Sequence, residues 1–127
     1  DVVSDFKIPS YIGVSDFTVD QYSEKLFYVS QLKNEIFSIN IAEPLLKETS
    51  LYKTSSSTIQ SLTYEKQTNV LYWLETDKGE KVSSTDGKRV STLITKMDNP
   101  VNLAVHPEKN CIFIAVLGVK PHILVYK

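Results

Sequence analysis

The sequence predicts an all-β fold of repeated sheet units, on three observations. Apolar and polar residues alternate with period two along most of the chain, and no apolar stripe at helical spacing runs far enough to make a helix. Leu26-Phe27-Tyr28, Leu71-Tyr72-Trp73 and Ile112-Phe113-Ile114 repeat one strand at spacings of 45 and 41 residues. The same spacings superpose the alternating segments before them, 14–20 on 59–65 on 100–106, each followed by a polar turn. A period of ~40 to 45 residues filled with short strands is the signature of propeller blades. The expected architecture is therefore a β-propeller segment of about three blades.

Each element follows from its residues. In Asp16-Phe17-Thr18-Val19-Asp20 the apolar pair points one way and the polar trio the other, as in a half-buried strand. Lys25-Leu26-Phe27-Tyr28-Val29-Ser30 is too apolar for a wet face and should be covered on both sides. A turn at 31–34 leads to a third strand, 35–40, and after Ala42-Glu43-Pro44 a fourth lies within Leu45–Lys53, around Leu51-Tyr52. The second unit runs as strands 59–65, 70–75, 80–84 and 89–94. Its turns are Asp77-Lys78-Gly79, where glycine supplies a positive φ, and Thr85-Asp86-Gly87-Lys88. The third unit has strands 101–105, 112–116 and 122–126. Carrying the offsets backward lays Thr92-Leu93-Ile94 on Leu51-Tyr52-Lys53 and that on Phe6-Lys7-Ile8. Residues 1–10 thus read as the outer strand of a preceding or swapped blade, 12–54 and 59–95 as whole blades, and 101–127 as a blade lacking its outer strand.

The 127 residues suit one domain with a real core. A formal charge of −1 without long runs of one sign shows no basic patch for nucleic acid. No apolar run approaches the ~18 to 20 residues of a membrane span. Asp1, Asp5 and Lys7 break up any apolar stretch at the amino end, so no signal peptide is read there. Cys111 is the single cysteine, which excludes an internal disulfide and a cysteine-based metal site and points to a small buried thiol.

Leu71-Tyr72-Trp73-Leu74-Glu75, then Asp86-Gly87-Lys88-Arg89, Leu93-Ile94 and Asn99-Pro100-Val101-Asn102-Leu103-Ala104-Val105-His106 follow one another in the second and third units. This series resembles the class B, or YWTD, repeat of the LDL-receptor family, in divergent form, as in LDL-receptor relatives or sevenless/Ros-type receptor ectodomains. The family's Thr-Asp pair is replaced by Leu74-Glu75, Val29-Ser30 and Ala115-Val116. Its Leu-Ala-Val-Asp aspartate is Asp20, Glu65 and His106 in the three copies. The resemblance implies a six-bladed ring, of which three blades are half, and acidic residues that tie blades together through backbone hydrogen bonds. Either the chain is half of a larger ring or two copies pair into one, which would remove exposed edge strands.

Chemistry is sparsely signalled. His106 and His122 lie in different strands of one unit without acidic partners at a zinc-site spacing. Six-bladed lactonases hold calcium at the ring centre with Glu, Asn and Asp. Asp16 and Asn102 occupy equivalent first-strand positions, with Ser61 in register between them, as a weak counterpart. Asp77 to Lys81 and Asp86-Gly87-Lys88-Arg89 read as charged hairpin tips, and Ser55-Ser56-Ser57-Thr58 as an exposed loop. Phe27, Tyr28, Tyr72 and Trp73 suit either a stacking platform for bases or blade-to-blade packing, and their place in central strands favours packing.

No catalytic set, metal or cofactor is therefore expected. The expectation is a non-catalytic protein-binding or spacer module in the ectodomain of a single-pass cell-surface receptor, presenting loops on a rigid propeller face. Its partners would be a protein ligand or neighbouring receptor domains, and the rest of the propeller or a second copy of the chain. Nucleic acid and direct membrane insertion are not expected. The alternatives are half of a calcium-dependent hydrolase and an intracellular scaffold propeller.

Overall fold

Each of the three aromatic stretches forms the second strand of its own sheet. The computed structural model describes residue 8 and residues 13–43, 45–77 and 80–127, and among these it has strands and no helix. The first sheet comprises β1 (Val14–Asp20), β2 (Lys25–Ser30), β3 (Glu35–Asn40) and β4 (Thr49–Lys53). The second comprises β5 (Ser57–Glu65), β6 (Val70–Asp77), β7 (Lys81–Thr85) and β8 (Val90–Thr95). The third comprises β9 (Pro100–His106), β10 (Cys111–Val116) and β11 (His122–Tyr126). All neighbours are antiparallel, and spatial order follows chain order in every sheet. β1 lies beside β5, and β5 beside β9, so the sheets fan out from an axis lined by their first strands.

The repeat reaches into backbone detail. Ser15, Gln60 and Val101 are each skipped by the pairing with the second strand, so a β-bulge recurs at the same two offsets. Glu24, Asn69 and Asn110 end the first turn of each unit at φ 55°, 58° and 53°. Asparagine adopts this left-handed conformation at lower cost than glutamate. Glu24→Asn should therefore raise the unfolding free energy by ~0.5 kcal/mol. Urea denaturation reads this directly, and a lowered midpoint would contradict it.

Two apolar interfaces form the core. Phe27, Val29 and Ile36 of the first sheet pack on Ile59, Leu62, Leu71 and Trp73 of the second. Leu74 and Val82 of the second pack on Leu103, Ile112, Ile114 and Val116 of the third, with Met97 closing the edge. Side chains of β6 alternate between the two, Leu71 and Trp73 one way, Tyr72 and Leu74 the other, which is why that strand has no polar face. Each fully buried side chain contributes ~1.5 to 3 kcal/mol. Aromatic pairs brace the first interface: Phe27 stacks on Tyr64 at 5.0 Å and Trp73 meets Tyr52 at 4.9 Å.

The outer faces of the first and third sheets repeat these surfaces. Phe17, Val19, Leu26 and Tyr28 stand 45 residues before Leu62, Tyr64, Leu71 and Trp73 and turn away from the second sheet. Phe17 is 62% exposed there. Phe113, Ala115 and Ile123 turn outward from the third sheet, and Ile123 is 66% exposed.

Several sequence expectations change. The third strand of the second sheet runs Lys81–Thr85 rather than 80–84, while the fourth strand of the first sheet, Thr49–Lys53, falls within the expected 45–53 stretch. Ser57 and Thr58 open β5 instead of ending a loop, with the Thr58 hydroxyl bonded to Asp77. Register pairs Ile36 with Tyr52 and Val82 with Ile94, so Tyr52 matches Ile94 and the bulged Leu51 matches Leu93. The outer strands are therefore 42 residues apart rather than 41. The connections around the third strand differ in length between the units, and the second-strand offset does not survive them. Asp77 itself takes φ 72°, whereas Lys78 and Gly79 lie outside the described residues, as do Pro44, residues 11 and 12, and residues 1–7, 9 and 10 of the expected extra strand.

Candidate functional site

The bulges in the first strands aim the next side chain at the axis, and these are Asp16, Ser61 and Asn102. Asp16 Oδ2 accepts the Leu62 N–H at 2.9 Å from the neighbouring sheet, and its Oδ1 accepts the Phe17 N–H at 3.0 Å. The Ser61 hydroxyl bonds Asn102 Oδ1 at 3.0 Å, and the same oxygen accepts the Leu103 N–H at 2.9 Å. The three residues weighed as calcium ligands are thus brought together, but as links from sheet to sheet. The described residues hold no cluster of His, Cys, Asp and Glu arranged for a metal ion.

At the far end of the same strands lie Asp20, Glu65 and His106. Asp20 caps its turn fully: Oδ1 accepts the Tyr22 N–H at 3.1 Å and the Ser23 N–H at 3.4 Å, and Oδ2 the Ser23 hydroxyl. The Ser23 hydroxyl holds the carboxyl below its usual 3.8, against burial, which pushes it up. Glu65 makes one such bond, Oε1 accepting the Gln67 N–H at 2.8 Å, while Oε2 is buried without a partner among the described residues. His106 Nδ1 is likewise buried and unpartnered among them. Glu65 and His106 line one cleft of about 300 Å³ between the second and third sheets, with Tyr72, Cys111 and Tyr126. Burial, then the charge of Glu65, raises the Tyr72 phenol above its usual 10.0. A wider groove of about 710 Å³ between the first two sheets carries mixed charges, Lys25, Lys47, Glu43 and Asp86 among them.

Glu75, which stands where the family pattern has the aspartate of its Thr-Asp pair, is fully buried. The Lys81 ammonium lies 3.3 Å from its Oε2, so charge holds the pair together. Tyr52 of the first sheet faces the same carboxylate; burial and then Glu75 push its phenol up to about 12.

The remaining candidates resolve into structural roles. Trp73, Tyr28 and Phe27 are buried and offer no platform for bases. Asp86 Oδ1 accepts the Lys88 and Arg89 N–H groups at 2.9 and 3.0 Å, so its carboxylate shapes the hairpin instead of facing a ligand. His122 is exposed, with Nδ1 2.7 Å from the Lys120 carbonyl. Cys111 is buried and donates to the Lys109 carbonyl at 3.2 Å. Sequence reasoning missed the pairing of Glu65 with His106 across a cleft. The signal was present, since both stand at the Asp20 position of their repeats.

No protein-family profile matches the chain, and no curated protein does. Solved structures do. The nidogen β-propeller of the nidogen/laminin complex superposes with a TM-score of 0.71 over 85% of this chain, at 14% identity. This chain has a β-propeller fold. A protein from Bacteroides fragilis assigned provisionally as a 6-phosphogluconolactonase matches with a TM-score of 0.63 over 82% of this chain, at 12% identity. The propeller segment spans 42% of the nidogen chain and 32% of the bacterial one. At such identities the likeness concerns fold alone, and the nidogen match agrees with the YWTD-type resemblance of the repeats.

Proposed function

We propose that the chain is half of a six-bladed propeller whose remaining blades cover the two free apolar faces, and that the ring is a non-catalytic, extracellular protein-binding or spacer module of a cell-surface receptor. The observation that carries this reading is the use of Asp16, Ser61 and Asn102. These first-strand polar groups, at the positions where a propeller hydrolase keeps its ligands, link one sheet to the next through the Ser61–Asn102 and Leu62–Asp16 bonds. Recognition then falls to the turns and clefts at the ring's ends. The nidogen likeness supports a binding role, because that propeller occurs in a protein complex; partners here would be a protein ligand or neighbouring receptor domains. The bacterial likeness keeps a hydrolase as the second reading.

Melting with calcium and with a chelator separates the two. Equal midpoints are expected, and a calcium-dependent rise of several degrees would favour the hydrolase. Labelling intact cells with a membrane-impermeant amine reagent should modify the protein's lysines; labelling only after permeabilisation would defeat the extracellular assignment. Solution mass tests closure. A ring completed by other blades leaves the isolated 127 residues monomeric at 14.4 kDa, whereas a stable dimer of ~29 kDa would mean that two copies close one ring.

A further inference from the structure

The first strand of each repeat ends on an ionisable side chain, and the three are used unequally. Asp20 is the shortest, and both its oxygens are taken by its own turn. Glu65 is one methylene longer. One oxygen reaches the turn amide of Gln67, and the extra length leaves the other, Oε2, buried with no donor among the described residues. The residue is 7% exposed, so water does little for that oxygen. In the third repeat His106 replaces the acid, and its Nδ1 is also buried without a partner. Both residues that depart from the Asp20 pattern line the same cleft.

The rest of that cleft narrows what can fill it. Its walls are the rings of Tyr72 and Tyr126 with the aliphatic Val105 and Ile112. Its volume of about 300 Å³ lies at the small end of ligand pockets, enough for one long side chain. Lys127 also lines it but forms no ion pair with Glu65 among the described residues. A group suited to this space is cationic, donates hydrogen bonds in several directions and presents a flat face to aromatic rings. Guanidinium has all three properties, and its weak hydration makes burial cheaper than for an ammonium.

We propose that the cleft between the second and third sheets is a binding site for a guanidinium group, the side chain of an arginine on a partner protein. Glu65 Oε2 supplies the charge and one acceptor, His106 Nδ1 a second acceptor, and the tyrosine rings the flanking faces. The proposal rests on the protein-binding reading for its partner, but the site itself can be probed without one.

The test titrates ethylguanidinium into the isotope-labelled protein and follows backbone amide resonances. Saturable shifts at Gln67, Val105, His106 and residues 108–111 are expected. Neutral ethylurea should give none, and Glu65→Gln should weaken binding at least tenfold while retaining the acceptor for the Gln67 amide. Should Glu65→Gln fail to fold, Tyr126→Ala in the edge strand serves instead and should weaken binding ~2 to 5-fold. Scattered or non-saturable shifts, equal binding of ethylurea, or unchanged affinity in the variant used would overturn the proposal. A negative result here leaves the cell-surface labelling untouched, so the site and the module's role fail separately.

Discussion

Trp73→Ala is expected to lower the unfolding free energy by ~3 to 5 kcal/mol. Its indole is fully buried between the first and second sheets and touches Tyr52 at a centroid distance of 4.9 Å. Removing it leaves a void walled by Phe27, Val29, Ile36 and Leu62, residues held in two separate sheets that cannot close the gap without moving one sheet against the other. The indole N–H has no partner among the described residues, so the side chain acts through packing. Trp73→Phe, which keeps a ring and discards an unsatisfied donor, should therefore lose much less. Urea unfolding monitored by far-ultraviolet circular dichroism measures both. An alanine variant that loses under ~1 kcal/mol would mean that the two sheets do not clamp this residue.

Lys81→Met should produce the second large loss, ~2 to 4 kcal/mol. Glu75 has no exposure to water, and Lys81 at 3.3 Å is the one ion-pair partner found for it among the described residues. Breaking a buried pair by deleting one member strands the other, at ~3 to 5 kcal/mol. The loss is smaller here because the Lys81 side chain is 34% exposed, so solvent already screens part of the attraction. The opposite deletion is milder. Glu75→Gln leaves a lysine that can turn to water, and it keeps an acceptor facing Tyr52. The order of the two variants is the check: if Glu75→Gln is the more damaging, the carboxylate is not the stranded charge. Replacing both by methionine should recover most of the loss from Lys81→Met.

How much of this was legible in the sequence depends on which contacts were local. The second strands, the bulged first strands and the left-handed turn residues recur at fixed offsets because each unit makes the same hairpin, and a hairpin is written in consecutive residues. The spacings 26–71–112 therefore predicted three separate sheets, and the sheets stand so. The outer strands obeyed another offset because connection lengths differ between units, which hydrophobic alternation does not register. Lys81 looked like part of a charged hairpin tip and Glu75 like a lost family aspartate. Only the pairing of β6 with β7 sets them opposite each other, beneath Tyr52 of the next sheet. The axial trio was visible as equivalent positions, but its use as sheet-to-sheet links was not, because those bonds span 41 and 46 residues. The Glu65–His106 cleft escaped notice for a similar reason. Each residue reads as an imperfect turn cap alone, and only adjacency of two sheets makes them neighbours.

The second sheet shares a seam with each of its neighbours, and the two seams have no large side chain in common. Such a chain behaves like coupled links in a row, each strengthened by the next. Amides guarding the 1–2 seam and those guarding the 2–3 seam should accordingly exchange with solvent through distinct openings, and a lesion such as the loss of Trp73 should loosen the former while sparing the latter.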